Sequence, residues 1–164
     1  MATITIKNVD RLTRKLNKIS NMELNNAMND ALKIVHGQAK SLAPVNKRGG
    51  GGTLAGSIHM DKRKTADGLE GRVYTNMEYA PYVEFGTGIK GDGTYPYKIK
   101  GLNLTYKDKG WVYWSENDEK YIYTTGQVAQ PFMYPALKDN EKLIVKKFKN
   151  GAKNEIINCC KGGN

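Results

Sequence analysis

One run of residues limits what this chain can fold into more than any other. Leu24, Ala27, Met28, Ala31, Leu32, Val35, Ala39 and Leu42 recur at three- and four-residue spacing, the repeat of one helical face. Asn25, Asn29, Lys33, His36 and Lys40 take the opposite face. Pro44 disfavours helical backbone at the residue before it, so the pattern predicts a helix from Asn21 to Ala43. Ser20 and Glu23 form a capping-box pair with Ile19 and Leu24 as its staple, which marks a helix start. Ahead of it, Asp10 is placed to cap a short separate helix carrying Leu12, Leu16 and Ile19. Thr3-Ile4-Thr5-Ile6-Lys7 alternates as a short strand does.

After the helix comes Val45-Asn46-Lys47-Arg48 and then Gly49, Gly50, Gly51 and Gly52. Glycine loses the most entropy on ordering, so this loop is expected to be mobile in the isolated chain. Strands are expected at 57–64 and 69–75, joined at the turn signal Ala66-Asp67-Gly68. Further on, Trp111-Val112-Tyr113-Trp114 and Tyr121-Ile122-Tyr123-Thr124 flank a polar turn and read as a β-hairpin. Two uses of so many aromatics stand side by side: cross-strand pairs covering a sheet face, or a platform on which bases stack.

The stretch 133–157 reads as a second helix. Leu137, Ile144, Phe148 and Ala152 form one stripe. Lys138, Lys142, Lys146, Lys149 and Lys153 fall in a single neighbouring arc at about 100° per residue. A lysine arc is ordinarily a solvated face; the alternative is a face toward a polyanion. Charge alone does not choose, because the formal net charge of +10 is spread along the 164 residues and suits either solubility or nucleic acid.

Composition narrows the classes. Hydrophobic residues make up 39%, enough for a modest core, and mean hydropathy is -0.62. No run approaches the roughly 18 apolar residues of a membrane span. MATITIKNVD lacks the layout of a secretion signal, so synthesis and assembly in a cytoplasm are expected, without a membrane. Cys159 and Cys160 are adjacent, with no metal or redox spacing around them. His36 and His59 stand in different elements, so no metal site is expected, and no cofactor-binding motif occurs. Glu78 and Glu84 are the one tempting acid pair, but six residues apart on a helix they point to different sides. No catalytic constellation emerges.

Three segments carry a resemblance. The first is Ala43-Pro44, a glycine-rich gap, and Gly52-Thr53-Leu54-Ala55-Gly56-Ser57-Ile58. The second is Tyr79-Ala80-Pro81-Tyr82-Val83-Glu84-Phe85-Gly86-Thr87, and the third Gln130-Pro131-Phe132-Met133-Tyr134-Pro135-Ala136. In that order, over about residues 5–150, they resemble the neck or tail-completion family of long-tailed bacteriophages, which includes head–tail connectors and minor tail components. Two features depart from the family pattern: Lys47-Arg48 and glycines replace a Thr-Gly step, and the insertion at 88–128 is long.

The resemblance implies an α+β fold, with a small antiparallel sheet packed by the long helix, a second helix near the C-terminus and the extended hairpin insertion. Residues 1–158 would form one domain and 159–164 a tail. It implies a non-enzymatic subunit of a hexameric or dodecameric homo-oligomeric ring at the head–tail junction of the virion, assembled in the bacterial host. The expected partners are a neighbouring neck or head-completion protein, the tail tube protein and, non-specifically, packaged double-stranded DNA. Lys47, Arg48 and the glycines Gly49 to Gly52 would dock on neighbouring rings. Tyr79, Tyr82, Glu84, Phe85, Gly86, Pro131, Phe132 and Pro135 would be structural, and the five lysines would face DNA. Within the second segment, Glu84 needs amide donors or a basic partner if buried. That segment reads equally as a core-closing turn or a binding surface. The other class in play is a basic nucleic-acid-binding domain working alone.

Overall fold

The computed structural model describes residues 9–45, 52–65, 68–116 and 118–161. Helix α1 runs Val9–Leu42 without interruption. The expected break at Ser20 is therefore absent. Ser20 is tolerated inside a helix, and no glycine or proline stands between Val9 and His36 to end it. Ala27, Ala31, Leu32, Val35, Ala39 and Ala43 are buried, matching the predicted face but for its end, where Leu42 is exposed and Ala43 turns inward. The predicted strand at 3–7 lies outside the described residues.

Short helix α2 (Thr53–Gly56) leads into a hairpin of β1 (Ile58–Thr65) and β2 (Gly68–Thr75), close to the predicted strands. Asp61 accepts from Arg72 and Glu70 from Arg63 across it. The Arg72 hydrogen bond holds the Asp61 carboxyl below its ordinary range. Such exposed pairs fix register more than they stabilise. Helices α3 (Ala80–Phe85) and α4 (Gly88–Gly91) follow. After an irregular stretch come β3 (Trp111–Ser115) and β4 (Lys120–Thr124), which pair antiparallel with Trp111 opposite Thr124 and Trp114 opposite Tyr121. The expected α+β class is what forms, with two small antiparallel sheets among the described residues.

The predicted C-terminal helix is two helices, α5 (Met133–Lys138) and α6 (Glu141–Lys161). The break falls at Asp139-Asn140, residue types that compete with helical backbone and favour caps; the Asn140 carbonyl accepts the first α6 bond, from the Ile144 amide. Lys138 thus ends one helix, and Lys142, Lys146, Lys149 and Lys153 stand on the next.

The chain groups into two compact units. One takes Met1–Val35, Met60–Val73 and Asp139–Asn164. In it α1 crosses the β1–β2 hairpin so closely at Gly71 that an added Cβ would lie 2.6 Å from Met28 Sδ and 3.0 Å from Leu32 Cδ2. Asn25 accepts from Lys62, and Lys147 of α6 pairs with Asp30 at 3.1 Å. The other unit takes His36–His59 and Tyr74–Lys138. Its core holds Leu54, Ile58, Phe132 and Ala136, and His36 Nε2 lies 3.0 Å from the Ile58 carbonyl. Among the described residues no helix is long and apolar enough to cross a membrane, and no cluster of three metal-binding side chains occurs.

Candidate functional site

The second unit gathers the three sequence segments. Gly52 adopts a left-handed backbone (φ +92) at the start of α2, which then buries Leu54 and leads on to the buried Ile58. Thr53 Oγ1 lies 3.3 Å from the Tyr79 hydroxyl, joining the first segment to the second. Pro81 stands in the first turn of α3, where its missing N–H costs nothing. Gly86 ends α3 at φ +78, a backbone that L side chains rarely adopt. A Cβ there would meet the Ala129 amide at 2.8 Å and the Gln127 carbonyl at 2.9 Å.

Glu84 is the buried charge of the site, 5% exposed. Its Oε2 accepts from the amides of Phe132 at 2.7 Å and Met133 at 2.9 Å, and its Oε1 from Tyr134 at 3.1 Å. The next residue, Pro135, has no amide proton. Glutamate and proline together therefore settle the unpaired donors that the first turn of α5 would otherwise bury, and the carboxylate sits at the positive end of that turn. Of the two partners open to Glu84 from sequence, backbone amides and a basic side chain, the structure selects the amides. Glu78, by contrast, is exposed.

The last turn of α3 is held from the other direction. Its Tyr82, Val83 and Phe85 carbonyls accept from Gln127 Nε2, the Gln130 amide and the Tyr106 hydroxyl at 3.0, 2.8 and 2.9 Å. Thr87 and Gln127 exchange backbone bonds. The long insertion is thus tied to the second segment at its middle, through Tyr106, and near its end, through Gln127.

Aromatic placement differs from the simplest expectation. Phe132 is completely buried, Phe85 half-buried, and Tyr79 and Tyr82 exposed. The ring of Phe85 meets Tyr95 edge-on at 5.0 Å, and Tyr95, Tyr97 and Tyr134 continue the cluster. The Tyr95 hydroxyl is buried without a partner. Burial first, and the Glu84 charge second, push its pKa far above the ordinary value. Nothing in the sequence singled out Tyr95; its setting depends on a ring stack assembled from three separate segments.

Beside α3 an open groove of about 730 Å³ runs between Tyr82, Phe85 and Gly86 on one wall and Trp111 and Tyr113 of the hairpin on the other. Lys107 is the charged side chain among its lining residues, lying 5.1 Å from the Trp111 ring centre. Lys142, Lys146, Lys149 and Lys153 are exposed on α6. Lys47, Arg48, Gly49, Gly50 and Gly51 lie outside the described residues.

The profile of a family described as "Bacteriophage HK97-gp10, putative tail-component" matches residues 5–86, half of the 164-residue chain. The match contains the first segment and the second as far as Gly86. No curated protein and no solved structure matches the chain.

Proposed function

Because this chain belongs to the HK97-gp10-like family of bacteriophage tail components, we propose that it is a non-enzymatic structural subunit of the phage neck, one copy in a hexameric or dodecameric ring that joins tail to head in the virion. One observation supports this reading most: the part of the chain that matches the family is joined to the rest of its unit in a single self-capped framework, with Glu84, inside the match, holding the start of α5, outside it. Such a framework is fixed in shape and leaves its surface for neighbours. A head-to-tail contact repeated around an axis closes a ring, and the neighbours in the particle would be a head-completion protein and the tail tube.

The exposed lysines of α6, Lys142, Lys146, Lys149 and Lys153, support a contact with DNA in the lumen. Exposed lysine–phosphate contacts are screened and sequence-independent, which suits a channel through which DNA must move. The same lysines support the second reading, a basic domain that binds nucleic acid alone. That reading expects tight, salt-sensitive binding by the single chain, and the ring reading expects weak binding until many copies stand together.

Deleting the gene tests the proposal. Filled heads and finished tails that fail to join are expected. Joined particles that are merely non-infectious, or heads that never fill, would refute it.

A further inference from the structure

The β3–β4 hairpin has two faces of different standing. Strand alternation puts Trp111, Tyr113, Ile122 and Thr124 on one face and Val112, Trp114, Tyr121 and Tyr123 on the other. The first face turns Trp111, Tyr113 and Thr124 toward the groove beside α3. The second is bare: Val112, Trp114, Tyr121 and Tyr123 are 59%, 51%, 74% and 66% exposed. Trp114 and Tyr121 touch edge to face at 5.1 Å, and with Val112 and Tyr123 they make the face an apolar blade. Folded chains seldom leave such a patch to water unless something covers it, and aromatic residues dominate the covered centres of interfaces.

Charge identifies the cover. A base-stacking use of this blade needs cations around it, but its tip carries Glu116, Asp118 and Glu119 against Lys120. The stretch 90–109, of which Leu104, Thr105, Tyr106 and Lys107 line the groove, is the reverse: Lys90, Lys98, Lys100, Lys107 and Lys109 stand against Asp92 and Asp108, all exposed. An apolar blade with an acidic tip and an apolar groove whose charged lining residue is Lys107 are complementary, and every copy of the chain carries both.

We infer that the hairpin blade of one copy docks into the groove between α3 and the hairpin of the next copy. The occupant of the groove is a second copy of this chain. Because blade and groove are different surfaces, the contact is heterologous and propagates around an axis. This rests on the ring proposed above and names the surfaces that make it.

Cross-linking in assembled particles tests it, in a background with Cys159 and Cys160 changed to serine. Tyr123→Cys on the blade and Leu104→Cys in the groove, together in one chain, are joined by a short bismaleimide. A ladder of chain multiples is expected from the double variant and none from either single variant. If a lysine-reactive reagent yields a ladder and the cysteine pair does not, the docking is wrong and the ring stands. If neither reagent yields one, both are wrong. A second variant, Trp114→Ala with Tyr121→Ala, is expected to keep the thermal melt of the isolated chain and to lose joined particles. Joined particles at the normal yield would overturn the docking.

Discussion

Glu84 shows how one residue holds the second unit together. Hydrogen bonds to charged groups contribute about 1.5–3 kcal/mol, so Glu84→Gln, which removes the charge and turns a donor toward amide protons, is expected to lower unfolding free energy by about that much. Denaturant titration reads it directly. Gly86→Ala forces a side chain into left-handed backbone and onto the Ala129 amide; about 1–3 kcal/mol is expected from the backbone strain alone. Phe132→Ala should cost about 3–5 kcal/mol as a fully buried aromatic, and Phe85→Ala clearly less, since Phe85 is half-buried. Equal losses would show that the ring cluster around Phe85 carries as much as the core. Tyr95 adds a pH dependence. Its folded pKa is raised, whereas in the unfolded chain it ionises near the ordinary 10.0. The fold therefore keeps this contribution below that pH and loses it as pH rises beyond; Tyr106, raised chiefly by its own burial, acts in the same sense. Tyr95→Phe removes an unpartnered buried hydroxyl, so stability should be unchanged or higher at neutral pH and should fall less steeply above pH 10.0. An unaltered alkaline denaturation profile would contradict the account.

Among elements, those with local periodicity were legible and those set by distant partners were not. The apolar face of α1 follows from spacing alone, and both hairpins from alternation and turn residues. The merger of two expected helices into α1 was not legible, because Ser20 and Glu23 can cap a helix or sit within one. Asp139-Asn140 did carry a local stop signal, and the apolar stripe from Leu137 to Ala152 outweighed it. Leu137 proves exposed, because that stripe crosses two helices. Glu84 could be read as needing donors, but the donors lie 48 to 50 residues further on. Which hairpin face is bare was illegible for another reason: both faces carry aromatics, so alternation gives no inside. Gly71 was also silent in sequence. With Met28 Sδ 2.6 Å from its would-be Cβ, Gly71→Ala requires the flexible Met28 and Leu32 side chains to shift, and about 1 kcal/mol, the low end of overpacking, is expected. Met28→Ala in the same chain should recover part of that loss; a strictly additive double variant would mean that the two residues do not meet.

For the whole molecule, the consequence is a division of labour. In the proposed ring, the unit closed by Glu84 would offer its aromatic hairpin and groove to other molecules, and the other unit the lysines of α6. Changing Lys142, Lys146 and Lys149 together to glutamine should leave particles that assemble but lose or abnormally eject their DNA; normal retention and ejection would reduce those lysines to a solubility role. The central claim, that this chain forms the ring between head and tail, is tested most directly by imaging wild-type particles by cryo-electron microscopy with an antibody fragment bound to the subunit. If the chain forms that ring, label is expected at the head–tail junction with six- or twelve-fold symmetry. Label along the tail tube or at the distal tip, or none on finished particles, would contradict it.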